Sequence, residues 1–363
     1  MDKIQARTGS TARGTGKKDA LAWLFAAAGI SALTTRLRFG QSRSVAILAY
    51  HRVFDIGRED DFPYDPELVS ASVADFEWQM RTLRRRFDPM HLREVLSCAD
   101  EGRPLPPRAV VVTFDDGHGD NYTHAFPVLR ALGIPATIFL STGYMDRKEP
   151  FWFDEVAFRL YHSPRRNLEL SSLRLRLTLG SVTQRRLVTR DVLAGMKVVS
   201  NAVRLAALRE LAKESGVAGP VNDALSRPLT WEQVREMRDS GIDFGSHALS
   251  HPILSRLSDE ELHLELAGSK SDIEQRLGRT VECLAYPVGG GGAFDDRVVR
   301  IARQSGYRLG LTYVSGVNAW PAADGFRLRR LPVERNTTRA RFEGMLAFPK
   351  LLEYAQRTEG GGA

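Results

Sequence analysis

The feature that most restricts the fold of this chain is a regular alternation between short apolar runs and helical patterns. The apolar runs are rich in β-branched and aromatic residues and are bounded by polar or glycine-containing segments, as buried strands are. The candidate strands are SVAILAY (44–50), AVVVTF (109–114), PATIFLS (135–141), GIDFGS (241–246), VECLAY (281–286), YRLGLTY (307–313) and FRLRRLPV (326–333). Strands that alternate with helices predict a mainly parallel sheet with the helices outside it.

Helical patterns lie between most of these runs, at 73–87, 122–133, 231–241, 258–278 and 296–306. The last four end in glycine just before the next strand, which is the expected helix stop in such a connection. About seven parallel strands predict an α/β fold, either a barrel related to the (β/α)₈ type or an open doubly wound sheet.

One long segment, residues 142–228, interrupts this alternation, and we interpret it as a largely helical insertion between two strands. It contains the aromatic stretch PFWFDEVAF (150–158), which could line a sugar-binding groove. Aromatic residues at helical spacing more often belong to a core, and we favour that interpretation.

The ends of the chain differ in composition from its centre. Residues 1–43 hold a polar, basic leader and then the apolar run LAWLFAAAGISAL (21–33), which is too short to span a bilayer comfortably. We expect a flexible N-terminus with a short helix, one large domain over 44–350, and a tail over 351–363. A retained helix predicts a cytoplasmic protein with peripheral contact at the inner membrane, whereas a signal peptide would predict export.

Charge and cysteine content narrow the functional classes. The net charge of +7 is modest for 363 residues, and no recognised nucleic-acid-binding motif accompanies it, so we expect no nucleic acid partner. A basic surface suits acidic lipid or anionic polysaccharide at least as well. Cys98 and Cys283 are far apart and form no CxxC pattern, which argues against a disulfide framework and a thiolate metal site.

Polar residues follow several of the predicted strands at the point where each strand ends. His51 follows the first strand, Asp115 and Asp116 follow the second, and His247 and His251 follow the fourth. Because parallel strands direct their carboxyl ends to one edge, where ligands bind in such folds, we expect these side chains to form one site. Further candidates are Arg329 and Arg330 in the seventh strand, and Tyr286, Pro287 and Gly289 after the fifth as substrate contacts.

The residue types at these strand ends indicate metal-dependent hydrolysis. Two histidines four apart and one carboxylate form a common open metal site that leaves positions for water and substrate. Adjacent carboxylates are costly in a buried place unless a cation compensates them. One of Asp115 and Asp116 would bind the metal, and the other would act as general base on a water whose pKa the metal lowers. Helix capping would explain only one of the two aspartates.

Several motifs taken together resemble the polysaccharide deacetylases, the NodB-homology or carbohydrate esterase family 4 enzymes. The motifs are TFDDG (113–117), SHALSH (246–251), YHRV (50–53), LAYPVGG (284–290) and LRRLPVERN (328–336). The similarity extends over roughly residues 44–346 and is greatest to the poly-N-acetylglucosamine deacetylase-like branch. It implies a distorted (β/α) barrel of about seven strands and the removal of N-acetyl groups from a sugar polymer or glycoconjugate.

The resemblance also implies a role for each matching residue. The first aspartate of TFDDG is the base in this family, which corresponds to Asp115. The second aspartate and the two histidines hold a divalent metal, usually zinc, which corresponds to Asp116, His247 and His251. His118 and His124 are expected to serve the loop and helix after this motif.

The sequence departs from the family pattern at two places. Ala285 stands where the family has an arginine that holds the base, and we expect Arg330 to replace it, although Arg327 and Arg329 lie in the same strand. The late histidine that supplies the general acid in many members is also missing. This chain resembles the branch that carries YHRV near its N-terminus and supplies the acid from that motif, which implies His51 as the general acid. His118 is the rival candidate for this role. The alternative for His51 is a structural role in which it only caps the strand.

The leading functional hypothesis is a zinc-dependent N-deacetylase with an N-acetylated glycan as substrate. Two alternatives stay open at this point. One is a catalytically weak carbohydrate-binding homologue, and the other is a hydrolase of another amide or cyclic amide. The retained aspartates and histidines argue against loss of activity.

Overall fold

The computed structural model describes residues 44–221 and 223–348. The predicted leader with its apolar run at 21–33, and the predicted tail at 351–363, lie outside the described residues, so the proposed division of the chain and its cellular location stay predictions. Within the described ranges, no helix is both long and apolar enough to cross a membrane.

The described strands occupy all seven predicted places and add several short ones. In chain order they are β1 Ser44–Tyr50, β2 Arg52–Val53, β3 Val69–Ala71, β4 Asp88–Pro89, β5 Ala109–Phe114, β6 Ala136–Leu140, β7 Asn167–Leu170, β8 Leu175–Thr178, β9 Asp243–Ser246, β10 Cys283–Ala285, β11 Leu309–Ser315, β12 Asn318–Ala319 and β13 Leu328–Pro332.

Seven of these strands close into a parallel barrel. Their order around it is β1, β13, β11, β10, β9, β6 and β5, and β5 pairs with β1 to complete the circle. Closure decides between the two predicted architectures: the fold is a distorted (β/α) barrel, not an open sheet. Strands β1 and β5 are buried along their whole length, which explains why their sequences are almost uninterrupted apolar runs.

Alternate residues of each barrel strand face two different environments. Val45 and Ile47 of β1 belong to one buried cluster with Val111 of β5 and one helix, at 92–100, whereas Ala46 and Leu48 belong to another that includes residues of six other helices. The strand period of two therefore separates an interior face from a helix-covered face. Thr113, Asp115 and Arg330 share the interior parity, and this places them in the barrel mouth.

The helices surround the barrel, and five of them lie at the five places predicted between the strands, although the α-helix predicted from residue 122 begins at Phe126. They are α1 Val73–Arg86, α2 Leu92–Asp100, α3 Phe126–Leu132, α4 Trp152–His162, α5 Val182–Val198, α6 Asn201–Glu214, α7 Trp231–Asp239, α8 Asp259–Leu277, α9 Asp296–Gln304 and α10 Arg339–Ala347. Capping boxes start α7 and α8, at Thr230 and Ser258. The predicted stop at Gly278 is confirmed, and its φ of 64° is a left-handed conformation that glycine adopts without steric cost.

The insertion is largely helical, as predicted, and also contains a hairpin that the sequence did not indicate. Helices α4, α5 and α6 carry most of it, while β7 and β8 pair with each other in antiparallel fashion. The predicted core role of the aromatic stretch is confirmed, because Phe151 and Trp152 are buried in an apolar cluster of the insertion. Ile253, from the loop that carries His251, belongs to the same cluster, so the insertion packs against the site loop.

Candidate active site

Asp115 and Arg330 form a two-point ion pair inside the barrel mouth. Arg330 Nη1 donates to Asp115 Oδ1 and Arg330 Nη2 to Asp115 Oδ2, both at 2.7 Å. The guanidinium also donates from Nε to the Thr312 carbonyl at 2.8 Å, which fixes its direction. Arg330 is fully buried, whereas its neighbours Arg327 and Arg329 are exposed. The arginine that position 285 lacks is thus supplied from another strand.

This pair controls the charge of Asp115. Burial alone raises the pKa of the carboxyl, but Arg330 and, next, His247 oppose it and bring the pKa below its ordinary value. Asp115 is therefore ionised at neutral pH and can accept a proton. Because both of its oxygens are bound to one planar guanidinium, the carboxylate is also fixed in orientation.

Asp116, His247 and His251 converge at one point beside this pair. One ligand atom from each lies within 4.8 Å of the others, and all three residues are buried. Asp116 Oδ1 lies 3.4 Å from His247 Nε2 and 3.2 Å from His251 Nε2. Asp116 and His251 have φ values of 72° and 52°, which are unfavourable for residues with a Cβ. Such backbone strain is typical of functional sites.

The three donor atoms fit a divalent cation. His247 Nδ1 lies 2.7 Å from the Ala285 carbonyl, so that nitrogen carries the proton and Nε2 presents a lone pair to Asp116. Asp116 Oδ1 is buried and has no hydrogen-bond partner among the described residues. Zinc at about 2.0–2.1 Å from tetrahedral ligands would space them roughly 3.3–3.4 Å apart, which agrees with the distances above. A cation between these atoms accounts for an arrangement that is otherwise repulsive.

His51 lies at the same end of the barrel, directly after β1. Its backbone is held by other residues, since its N–H donates to Ser70 Oγ at 2.9 Å and its carbonyl accepts from Asn121 Nδ2 at 2.8 Å. The imidazole is therefore not needed to cap the strand. It is only half-buried, beside the Tyr313 ring at 5.4 Å. Burial lowers the pKa of His51, although the nearby Asp116 and Asp115 oppose the shift.

The predicted substrate contacts after β10 are placed differently from one another. Tyr286 has the helix-facing parity: its ring stacks on Phe294 at 4.2 Å, and its hydroxyl donates to the Phe326 carbonyl at 2.9 Å. The prediction that the Tyr286 side chain faces substrate is therefore wrong, because this side chain is packed outside the barrel. Pro287 and Gly289 form a tight turn in which Gly289 N donates to the Pro287 carbonyl at 2.7 Å, and their contact with substrate stays a prediction.

The structure also shows neighbours of the metal-ligand candidates that the sequence did not predict as such. His118 is fully buried and its Nε2 lies 3.5 Å from Asp116 Oδ2, outside the Asp116–His247–His251 group. Trp152 Nε1 donates to the His251 carbonyl at 2.9 Å. His124 lies 3.1 Å from the Val53 carbonyl, in keeping with its expected structural role. Only the nearness of His118 to the TFDDG motif could have indicated its position.

Comparison with known proteins identifies the family. Residues 102–310, more than half of the chain, match the family model described as polysaccharide deacetylase. The chain belongs to the polysaccharide deacetylase family. The match includes the two aspartates and both metal-ligand candidates of the SHALSH motif, whereas β1 and β13 lie outside the matched residues.

Curated relatives of this polysaccharide deacetylase family member are similar over parts of their length. A poly-beta-1,6-N-acetyl-D-glucosamine N-deacetylase of Escherichia coli K12 is 35% identical over 106 residues, which cover 28% of this chain and 16% of the relative. An enzyme of the same name from Staphylococcus aureus N315 is 31% identical over 120 residues, which cover 31% of this chain and 41% of the relative. The chain thus spans less than half the length of these relatives.

Solved structures share the fold of this family member. The Streptococcus pyogenes deacetylase PplD, in complex with acetate, superposes with a TM-score of 0.56 at 19% identity and covers 86% of this chain and 100% of its own. IcaB from Ammonifex degensii gives a TM-score of 0.53 at 21% identity, over 84% of this chain and 96% of its own. At these identities the similarity establishes the barrel alone.

Proposed function

We propose that this protein removes N-acetyl groups from an N-acetylated polysaccharide or glycoconjugate by hydrolysis that depends on a divalent metal, with zinc as the preferred ion. The observation that carries the proposal is the Asp115–Arg330 pair beside the convergent Asp116, His247 and His251. A proton acceptor next to a cation site is the arrangement that amide hydrolysis needs.

In this mechanism the cation would be held by Asp116, His247 and His251. When bound, the cation would act as a Lewis acid that lowers the pKa of water and polarises the acyl carbonyl. Asp116 and the two histidines are buried, and Asp116 and His251 are also held in left-handed backbone conformations, so the three side chains need little rearrangement to hold an ion.

Asp115 acts as the general base. It takes a proton from the water whose oxygen attacks the acetyl carbonyl, and Arg330 holds the carboxylate ionised and oriented for that transfer. The new bond joins the water oxygen to the acyl carbon, and the bond that breaks joins this carbon to the sugar nitrogen. The products are acetate and a free amine.

His51 acts as the general acid toward the departing nitrogen. An amine anion is a very poor leaving group, so cleavage needs a proton at that atom. Of the histidines in this region, His51 is half-buried, whereas His118, His247 and His251 are buried. Because burial lowers its pKa, the acid form is favoured on the acidic side of the ordinary histidine range.

The proposed substrate is a polymer or conjugate of N-acetylated sugar. Its support is family membership together with the names of the Escherichia coli and Staphylococcus aureus relatives. No part of the proposal involves nucleic acid. Peripheral contact with a membrane remains a separate proposal that rests on the basic leader sequence.

Metal analysis coupled to an acetate-release assay tests the proposal. The purified protein, with and without added zinc, is offered N-acetylglucosamine oligomers, other N-acetylated glycans and a cyclic amide. We expect acetate from an N-acetylated glycan only with metal present. Sugar binding without acetate release would favour a carbohydrate-binding homologue, and ring opening of the cyclic amide alone would favour the other hydrolase.

A His51→Ala variant tests the general acid. With its metal content unchanged, we expect a fall in rate of roughly two to four orders of magnitude and loss of the basic limb of the pH–rate profile. If the profile keeps its shape, the proton comes from His118 or from solvent.

A further inference from the structure

Asp154, in the first turn of α4, is a buried acid that the proposed mechanism does not use. Its exposed fraction is zero, and neither carboxylate oxygen has a hydrogen-bond partner among the described residues. A buried carboxylate without such partners is costly to keep. Burial accordingly raises the pKa of Asp154 to about 6. An acid in this position needs an explanation other than the stability of the fold.

Two groups oppose the effect of burial on the pKa of Asp154: His118 first, and then the buried guanidinium of Arg52. His118 Nδ1 lies 3.9 Å from Asp154 Oδ2, and His118 Nε2 lies 3.5 Å from Asp116 Oδ2. These separations are longer than those of typical hydrogen bonds, so the imidazole lies in contact with both carboxylates without a hydrogen bond to either. The ring packs against Phe151 at 4.6 Å between centroids, and this contact limits its rotation. One imidazole thus lies between the two carboxylates.

The two oxygens of Asp116 consequently have different neighbours. Oδ1 faces His247 and His251, at the point where the cation is proposed to bind, whereas Oδ2 faces His118. A side chain held at Oδ2 keeps Oδ1 directed at the cation site. Residues that orient a metal ligand in this way affect metal affinity almost as strongly as the ligands themselves.

The same turn of α4 also contacts a second ligand. Trp152 donates to the His251 carbonyl at 2.9 Å, and the Phe153 ring lies 5.1 Å from the His251 ring. Residues 152–154 of the insertion therefore contact both the loop of His251 and the neighbour of Asp116.

We propose that Asp154 is a positioning residue for the metal site: acting through His118, it holds Asp116 in the orientation that binds the cation. The inference rests on the proposed function, because it presupposes a metal at Asp116, His247 and His251. It assigns to the insertion a role in metal retention.

The test is zinc affinity, measured for the full chain by competition with a chromophoric chelator. We expect Asp154→Asn, which preserves shape, to weaken zinc binding by about 10- to 100-fold, the usual range for a residue that orients a ligand. The matched control is Asp243→Asn. Asp243 also lies beside a histidine, with His91 Nδ1 3.1 Å from its Oδ2, but at the opposite end of the barrel. This control should stay within threefold of the wild type.

A double-mutant cycle separates positioning from simple charge attraction. His118→Gln retains a side chain of similar length, and on that background Asp154→Asn should cause no further loss. If the negative charge of Asp154 attracted the cation directly, without His118, Asp154→Asn would weaken zinc binding equally in the wild type and in His118→Gln. This result would overturn the inference. Circular dichroism and thermal unfolding of each variant confirm that the fold is retained.

Two other results also overturn the inference, and they are distinguishable. If Asp154→Asn binds zinc within threefold of the wild type, the role of Asp154 is refuted while the proposed function stands. If the wild-type chain binds no zinc at the site, the proposed function fails together with the inference.

Discussion

The two ends of the barrel use the same pair of residue types, aspartate and histidine, for different purposes. At the amino end, Asp243 lies 3.1 Å from His91 and forms an ion pair with Arg93, and its side chain is 16% exposed. At the carboxyl end, Asp116 is 2% exposed and faces imidazole nitrogens, not a permanent cation. Arg93 and His91 lie beside the first acid, whereas on the proposal above the second would be completed by an added cation. If that proposal holds, the way in which charge is compensated separates a structural acid from a functional one.

The largest expected difference between the two ends of the barrel is in zinc binding and activity after a histidine is replaced by alanine. His247→Ala removes one of three ligands, so zinc binding and hydrolysis should both fall to background while the fold is retained. His91→Ala at the amino end should keep zinc and activity. Metal analysis and acetate release on the two variants check this. Full zinc occupancy in His247→Ala would refute the ligand assignment.

The next largest effect should separate the two adjacent aspartates. Asp115→Asn removes the base without removing a ligand, so the protein should keep its zinc and lose roughly two to four orders of magnitude in rate. Zinc stoichiometry and turnover, measured on the same preparation, give the answer. Simultaneous loss of metal and activity would mean that the two roles must be exchanged or merged.

A smaller effect is expected at the arginine that holds the base. Arg330→Lys keeps the charge but loses the two-point contact, and misplacement of the carboxylate should lower kcat by about 100-fold. Since Arg330 lowers the pKa of Asp115 against burial, weakening the contact should move the acidic limb of the pH–rate profile to higher pH. Arg329→Lys, on the exposed side of the same strand, is the matched control. Equal profiles for the two variants would contradict the assignment.

The smallest effects should be on stability, with opposite signs at the two ends. The pKa of about 6 for Asp154 lies above that of an unfolded aspartate, so its ionised form costs stability once the pH rises through this range. In metal-free protein at pH 8, Asp154→Asn should raise the free energy of unfolding by about 3 kcal/mol, with no gain at pH 4. Asp243→Asn should lower it by about 0.5–1 kcal/mol. Denaturant unfolding at both pH values measures the change in the free energy of unfolding for each variant. If both variants were stabilised, or both destabilised, the proposed difference between the acids at the two ends of the barrel would be wrong.

Local sequence patterns were sufficient for the seven parallel strands and for the polar residues at their carboxyl ends, but they left a closed barrel and an open sheet as alternatives. The runs at 44–50 and 109–114 are buried on both faces, and this produces the apolar signal from which strands are read. Burial on both faces also removes the alternation of polar and apolar residues that would show which side chains face the barrel interior. At the end of β10, Ala285 faces the interior, whereas Tyr286, the next residue, faces the helices. An apolar run in the sequence does not show which of two successive residues faces the interior. Tyr286 was misassigned for this reason.

Contacts between residues that are far apart in the chain could not be predicted from the sequence, for a different physical reason. His118 and Asp154 belong to separate elements that meet only after the insertion has packed, and no periodicity connects them. The β7–β8 hairpin was missed because its two strands are only four residues long each and pair only with each other. Arg330 could be predicted because the family resemblance implies an arginine beside the base, although it lies in the middle of β13 and the sequence alone did not separate it from Arg327 and Arg329.

The pairing of β6 with β9 affects when, during folding, the proposed metal-binding residues come together. These strands are neighbours in the barrel, with Phe139 opposite Gly245, yet the whole insertion separates them in the chain. Contacts between residues so far apart in sequence slow folding, since a long loop must close before they form. His247 and His251 follow β9, and the His251 loop is tied to the insertion through Trp152. Zinc uptake during refolding should therefore trail the formation of helical structure, and the time between the two signals would report the final closure of the barrel.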